Sequence, residues 1–450
     1  MSAAESNELA SKPIGRLVMS LAVPAVVAQA CNAMYTIVDR LFLARIPEVG
    51  DLAMTGVGVC FPITLAVSAF AMLIGMGGAP LASIQLGRGD KRQAERLLGV
   101  SVAALLIIAI VIPTILQLTK EPILLAFGAS ADTLPYAERF LTVYLSGTIC
   151  VMAALGLNTF ITAQGKARVA MVSTMIGALS SIALDWLFIV ELDMGVEGAA
   201  LANVIAQTLA ALWILRFLIS ERSAIRLRVR DIRIDRSILN ILALGVSPFI
   251  MQITESVIQV VFNSSLQRFG GDHYVAAMTI MTSLMQLIFI FSQGIQQGVQ
   301  PIIGYNFGAR LFDRVRRTYR NMMVVQVAIN SLMTLSFALF ASSLAAMFTT
   351  DPTIAGIVVK ALPYYCCGMG LFGIQNIVQC SFVGMGQAKP SLFLAIFRKI
   401  ILLVPLALIL PHVAELGATG VFLAEPISDI TSAIVAGLLF HRLIPALLQE

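Results

Sequence analysis

The sequence predicts an all-α membrane protein of twelve transmembrane helices, arranged as two pseudo-symmetric bundles of six. Composition, long apolar segments and an internal repeat support the helix count and the duplication. Of the 450 residues, 58% are hydrophobic and 12% charged, with a mean hydropathy of +0.89. Ordinary soluble domains carry about 25% charged residues. Apolar runs long enough to cross a bilayer recur along the whole chain, so lipid is the expected solvent of the fold.

The first twelve residues are polar, and no small-residue cleavage pattern follows them, so the first apolar stretch is predicted to be a spanning helix rather than a signal peptide. The predicted helices of the first half are 14–44, 52–84, 96–118, 134–162, 168–190 and 195–219. Those of the second half are 238–268, 274–304, 316–348, 354–385, 390–411 and 417–440. Several exceed the length that a bilayer requires, so we expect them to tilt, bend or protrude.

Lysine and arginine are unevenly divided between the two sides of the predicted membrane. The side that holds both termini carries 24 of them, and one more, Arg40, lies within the first helix. The opposite side carries five: Arg45, Lys120, Arg139, Arg268 and Lys360. The positive-inside rule predicts both termini in the cytoplasm and the chain in a bacterial inner membrane. The basic run in residues 220–237 favours a cytoplasmic linker against anionic lipid over a segment that binds nucleic acid or calmodulin.

The two halves repeat each other at a nearly constant offset. The matching positions are Pro24 with Pro248 (224), Ala79-Pro80 with Gln300-Pro301 (221), Gly165-Lys166-Ala167 with Gly386-Gln387-Ala388 (221), and Gly195 and Gly198 with Gly417 and Gly420 (222). Because six is even, both halves enter from the same side and should be related by an axis along the membrane normal. We predict an N-lobe, residues 1–219, and a C-lobe, residues 238–450, with a cavity between them. A channel is the alternative, and its pore would need oligomer symmetry.

A polar face on the first helix is the first candidate site. Asn32, Tyr35 and Asp39 follow one another at steps of three and four, so they share one side of the helix. A charged residue at a helix centre costs roughly 2.5 to 3.5 kcal/mol unless it faces protein or water. Upstream, Pro24 removes a backbone hydrogen bond and allows the helix to bend. Asp39 is therefore predicted to lie on a helix that can change shape.

The fifth helix carries a second acid, Asp185, one turn after Ser181. This polar face could approach that of the first helix. Two neighbouring carboxylates in a poorly solvated lobe favour proton uptake or a shared cation. The alternative is that each acid only accepts a hydrogen bond that holds the bundle together.

The second half carries a longer polar stripe. On helix seven it consists of Gln252, Glu255, Ser256, Gln259 and Asn263, and Asn263 is equivalent to Asp39 under the repeat. Pro248 is the equivalent of Pro24. Further candidates for the wall of a substrate cavity are Met285, Gln286, Gln375 and Gln379. A hydrated cavity is favoured, and interhelical hydrogen bonding is the alternative for some of these residues.

Arg398 and Asp429 are predicted to form a buried structural ion pair between helices eleven and twelve. Glu425 has no evident partner and remains a candidate for proton handling. No nucleotide-binding, zinc or serine-hydrolase motif occurs, and the six cysteines show no metal-ligand spacing. We therefore expect neither an enzyme nor a cofactor.

Segments in both halves resemble the multidrug and toxic compound extrusion (MATE) family, particularly its MepA-like bacterial branch. The matching stretches are 35–42, 56–63, 77–90, 184–189, 195–200 and 300–310. The resemblance implies two six-helix lobes in a V shape and antiport of small organic cations, by a monomer, against protons or sodium. It also implies that Asp39 is the coupling residue, with Asp185 as its companion and Glu255 as the acid used in some branches.

The sequence departs from the family pattern at two neighbours of these acids. Related proteins carry Asn and Thr where this chain has Ser181 and Asn203. A sodium ion at Asp39 and Asp185 is one expectation and proton coupling is the other. The competing functions are a flippase for lipid-linked sugars, which would need several basic cavity residues, and a membrane receptor or scaffold that does not transport. In the expected cycle, the inward-open protein takes up the cation and the outward-open protein exchanges it for external ions.

Overall fold

The computed structural model describes residues 8–44, 46, 50–413 and 415–449, and within these ranges it contains helices and no β-strand. Arg45, one of the five basic residues assigned to the far side, lies outside them. Ten of the described helices are long and apolar enough to cross a membrane, and two bent pairs bring the number to twelve. The predicted all-α membrane fold is confirmed. A short helix, Glu8–Ser11, precedes the first span.

The twelve spans follow in chain order. The first six are α1 Ile14–Ala44, α2 Gly50–Gly87, α3 Lys91–Ala126, α4 Leu134–Ser146 with Thr148–Ala163, α5 Ala167–Asp185 with a π-helical continuation Trp186–Glu191, and α6 Gly195–Ile219. The second six are α7 Ser237–Gly270, α8 Asp272–Gly308, α9 Phe312–Leu339 with a short extension Ala341–Phe348, α10 Pro352–Tyr365 with Met369–Gly384, α11 Ala388–His412 and α12 Ala418–Leu447. Within α11, Phe397–Leu403 is π-helical.

The breaks in α4 and α10 were not predicted from the sequence, which showed each as one apolar segment. The two parts of α4 meet at 59° and those of α10 at 51°. A Cβ on Gly147, at the first break, would lie 2.2 Å from Val204 of α6. A Cβ on Gly368, at the second, would lie 2.7 Å from Pro426 of α12. These glycines are 221 residues apart, so the repeat extends to the close approach that accompanies each bend.

The two lobes contact each other at the end of the bundle where the first and last described residues lie, which we call the terminal end. On α7, a Cβ at Gly245 would lie 1.7 Å from the carbonyl oxygen of Leu73 of α2, so the two backbones are in direct contact. On α8, a Cβ at Gly298 would lie 2.6 Å from the backbone nitrogen of Ala22 of α1. Glycine is required at these points because any side chain would separate the helices. We call these two contacts the glycine seam.

Beyond the seam the lobes diverge. The face of α7 that meets α2 at Gly245 continues at helical steps to Gln252, Gln259 and Asn263, and the last two are exposed. On α1, Ile37 is 61% exposed. The seam closes the terminal end, and we infer from the exposed side chains that a cleft between the lobes opens at the other end. If the termini are cytoplasmic, this is the outward-open state, whereas the expected transport cycle begins with the inward-open one.

The linker between the lobes packs on the N-lobe. The side-chain oxygen of Gln164 accepts hydrogen bonds from the backbone nitrogens of Ala224 (2.7 Å) and Ile225 (3.1 Å). Arg92 of α3 donates two bonds of 2.9 Å to Asp231. These contacts hold part of the basic segment on protein, although the sequence suggested a segment lying on lipid.

Candidate functional site

The polar face of α1 points into the N-lobe beside α5 and α6. Tyr35 lies within hydrogen-bonding reach of Asn203 on α6 and within electrostatic range of both Asp39 and Asp185. Thr36 donates a hydrogen bond of 2.9 Å to the carbonyl oxygen of Asn32, a local contact within α1. The structure thus brings together the first-helix and fifth-helix groups that the sequence placed on separate faces.

Asp185 is the most deeply buried acid among the described residues of the N-lobe. It is 1% exposed, and neither of its carboxylate oxygens has a hydrogen-bond partner in the described structure. It ends the α-helical part of α5, immediately before the π-helical turn that begins at Trp186. A π-helical turn changes the direction of the side chains that follow it and often occurs at functional sites. Ser181, also buried, lies one turn earlier beside the carboxylate.

Asp39 is half-buried and lies close enough to Asp185 for the two carboxylates to interact electrostatically. Neither acid has a basic side chain within 4.0 Å among the described residues. An unpaired carboxylate in a poorly solvated site is costly, and the cost falls when it binds a proton or another cation. The N-lobe therefore contains two neighbouring acids with the chemistry of a cation or proton site.

The C-lobe arranges its acids differently. Arg398 lies 2.7 Å from Asp429 and 2.9 Å from Glu425, and its guanidinium stacks 4.4 Å from the ring centre of Phe372. The structure places the predicted partners Arg398 and Asp429 in contact. Glu425, which was expected to lack a partner, shares the same arginine because one helical turn separates it from Asp429.

Lys399 is the functional residue that sequence analysis missed. The sequence analysis gave it no role, but the structure buries it beside Arg398 in the π-helical part of α11. The Lys399 ammonium contacts the carboxylate of Glu255 on α7 and donates a 3.3 Å bond to the carbonyl oxygen of Met251. The signal available in the sequence was two adjacent basic residues inside an apolar segment.

The candidate cavity residues fall into two groups. Gln259, Asn263 and Gln286 are exposed, and Gln252 is partly buried. Met285, Gln375 and Gln379 are instead buried inside the C-lobe. Gln375 accepts a 2.6 Å bond from Ser432, and Gln379 donates a 3.1 Å bond to Ser247. In this state these two glutamines join helices, which was the alternative considered for them.

The two helix-bending candidates also differ in their surroundings. Pro24 lies inside α1, buried between Ala22 and Val26, the two residues that meet the glycines of α8. Pro248 lies inside α7, three residues after Gly245 and partly buried. Each proline removes one backbone hydrogen bond, so both spans are weakened next to the glycine seam.

The Arg398 cluster should contribute strongly to stability. Replacing Arg398 by methionine leaves two buried carboxylates without a counter-ion, and we expect a cost of about 3 to 5 kcal/mol in the free energy of unfolding. Thermal unfolding of the purified protein in detergent measures the loss. The neutral combination Arg398→Met, Glu425→Gln and Asp429→Asn should recover most of it. An unchanged unfolding temperature for Arg398→Met alone would contradict this role.

Twelve spans that repeat as two halves, with buried acids in each half, are typical of a membrane transporter. The MatE family model matches residues 24–187 and 248–409, once in each half, so the chain belongs to the MatE family of transporters. The resemblance seen in the sequence is confirmed, and the two matches begin at the pseudo-equivalent Pro24 and Pro248.

Known relatives and a solved structure match this chain over nearly its whole length. The multidrug export protein MepA of Staphylococcus haemolyticus is 24% identical over 96% of this chain and 94% of its own. The FAD transporter of Shewanella oneidensis is 24% identical over 98% of this chain and 97% of its own. The structure of a multidrug resistance MATE transporter in an outward-facing conformation shares the fold, with a TM-score of 0.91, 24% identity and full coverage of both chains.

Proposed function

We propose that this chain is a secondary active multidrug exporter of a bacterial inner membrane, with both termini in the cytoplasm. It exchanges small amphipathic organic cations for protons or sodium. The observation that carries the proposal is the pair Asp39 and Asp185, two neighbouring carboxylates without a basic partner in the described structure. The coupling ion reaches this pair from the outside and neutralises it. This lowers the affinity of the protein for the bound organic cation.

The cycle uses the features that surround the acids. With the seam open and the far side closed, a lipophilic cation enters from the cytoplasm. With the seam closed, as in the described state, the cleft admits external ions to Asp39, and neutralisation favours bending of α1 at Pro24. One pH unit supplies about 1.4 kcal/mol per proton. A transported charge adds about 2.3 kcal/mol per 100 mV only where the exchange moves net charge.

The competing transport function is that of a flippase for lipid-linked sugars. The pyrophosphate of such a substrate would need free basic residues in the cavity. Both basic residues of the C-lobe interior, Arg398 and Lys399, contact carboxylates. The same argument disfavours an anionic dinucleotide such as the substrate that names the Shewanella relative. Neither Asp39 nor Asp185 forms a salt bridge among the described residues, which supports a cationic substrate.

Efflux of a fluorescent organic cation from proteoliposomes tests the proposal under separate proton and sodium gradients. Wild type should respond to at least one gradient and Asp39→Asn to neither. Asp313→Asn, at an acid whose side chain is 87% exposed at the start of α9, should retain gradient-driven efflux. Full efflux by Asp39→Asn at normal expression would overturn the proposal, and binding without transport by the wild type would favour a receptor.

A further inference from the structure

The pair Glu255 and Lys399 carries an inference that rests on the proposed function and deepens it. Lys399 has one carboxylate partner, and its side chain is 7% exposed. Glu255 is 56% exposed and belongs to the stripe of α7 that includes Gln252 and Gln259, so it borders the cleft. One end of the ion pair is therefore within the protein and the other is accessible to a ligand.

Arg398 shows the contrast. It contacts two carboxylates, stacks on Phe372 and is 4% exposed, so no single ligand could replace its partners. Lys399 is a flexible side chain that holds a single exposed acid. A lysine ammonium is a compact charge on a mobile stem and changes partner more readily than a guanidinium fork.

We propose that Lys399 is a tethered competitor for the substrate: in the outward-open state it occupies Glu255, and a transported organic cation must displace it to bind there. When the substrate leaves, Lys399 returns to Glu255, which keeps the carboxylate from recapturing the released cation. Lys399 is thus a specificity-determining residue that sets how tightly monovalent cations bind and how fast they are released to the outside.

Equilibrium binding of tetraphenylphosphonium to the purified protein in nanodiscs, together with efflux kinetics, tests this inference. Lys399→Met should bind the probe about tenfold more tightly, because it frees a carboxylate at the cleft and removes a like charge. Its KM and its maximal rate should both fall, since release becomes slower. Lys399→Arg should bind the probe more weakly than wild type, because a guanidinium fork leaves the Glu255 carboxylate less readily. Glu255→Gln with Lys399→Met should lose the gain.

Two results would overturn the inference, and they are distinguishable. If wild type binds the probe and Lys399→Met binds it no better, the pair is only structural and the proposed function survives. If wild type does not bind the probe, the proposed substrate class fails and this inference fails with it. Should Lys399→Met prove unstable, Lys399→Gln removes the same charge, and an affinity no higher than that of wild type for this variant would likewise contradict competition.

A second inference concerns the residues before α1, Glu8–Lys12, which we call the N-terminal strap. Leu9 is 1% exposed, and a Cβ on Gly165, in the turn between α4 and α5, would lie 3.0 Å from its side chain. The carbonyl oxygen of Leu9 accepts bonds from Asn306 (3.1 Å) and Arg314 (3.3 Å) of the C-lobe. Arg314 also donates a 2.7 Å bond to the carbonyl oxygen of Lys12. The strap therefore contacts both lobes across the closed end.

The geometry points to a conformational role for the strap: it stabilises the state in which the terminal end is closed, and it must leave one lobe when that end opens. The contacts on the C-lobe side involve Asn306, which is fully buried, and Arg314, which binds the Asn306 side-chain oxygen at 3.0 Å. On the N-lobe side, Leu9 packs against the turn at Gly165, and Lys166 and Arg168 lie within electrostatic range of Glu8. Weakening either side should favour opening.

Spin labels at Lys166 and Lys389, one on each lobe, report this opening in the full chain reconstituted in lipid. Leu9→Ser should shift the distance distribution toward longer values, and Arg314→Met should shift it in the same direction by removing the carbonyl contacts. Val229→Ser, an equivalent change at an exposed linker residue, is the matched control. Distributions identical to wild type for both strap variants would overturn the inference.

Discussion

Replacing Asp185 by asparagine is expected to abolish gradient-driven export while the protein folds normally. Asparagine has the shape of aspartate but cannot take up a proton or hold a cation by charge. Because asparagine keeps a side-chain oxygen that can accept from Ser181, and the substitution removes a buried charge, stability should be unchanged or higher. If protons are the coupling ion, each pH unit supports about a tenfold substrate ratio per proton, and this ratio should fall to about one.

Reconstituted vesicles with an imposed gradient give the ratio of substrate concentrations directly. Asp313→Asn removes an acid whose side chain is 87% exposed at the start of α9, and it should behave as wild type. A normal ratio in Asp185→Asn, at equal amounts of protein, would show that this carboxylate does not take part in coupling.

Substituting Gly245 by valine is expected to prevent closure of the terminal end. The Cβ alone would overlap the carbonyl oxygen of Leu73, which is backbone and cannot move without shifting α2. Overpacking of this kind typically costs about 1 to 3 kcal/mol. The cost applies only to the state in which the seam is closed, so the balance between states should move about fivefold to 150-fold toward the open seam.

The label pair at Lys166 and Lys389 should report the larger separation, and efflux should fall because external ions no longer reach Asp39. Gly437→Val on α12 is the matched control, because a Cβ there meets nothing within 4 Å. A Gly245→Val protein that keeps the short distance and full efflux would mean that the seam is not required for closure.

The sequence contained enough information to predict the spans and the acids of the candidate site. Apolar length defined the spans, and steps of three and four placed Asn32, Tyr35 and Asp39 on one face, which the structure directs toward Asn203 and Asp185. These features depend on local periodicity, which one segment carries by itself. The repeat predicted which positions of the two halves correspond. The bend at Gly147 recurs at Gly368 because helices pack closely at both positions.

The contacts between segments could not be predicted in the same way. The partner of Glu255 is 144 residues away, and a π-helical turn in α11 places Lys399 against it while Arg398 contacts α12. Apolar runs do not reveal π-helical turns, because the hydrophobic pattern of a continuous segment hardly changes there. The sequence also did not determine whether Gln375 and Gln379 are buried, because a polar residue in a span faces either water or another helix.

Competition between substrate and coupling ion tests the central claim most directly. The affinity of the purified protein for tetraphenylphosphonium is measured at several proton and sodium concentrations, for wild type and for Asp39→Asn with Asp185→Asn. We predict that wild-type affinity falls as one of these ions rises, and that the double variant shows no such dependence. A wild-type affinity that is the same at every proton and sodium concentration would contradict exchange at these acids.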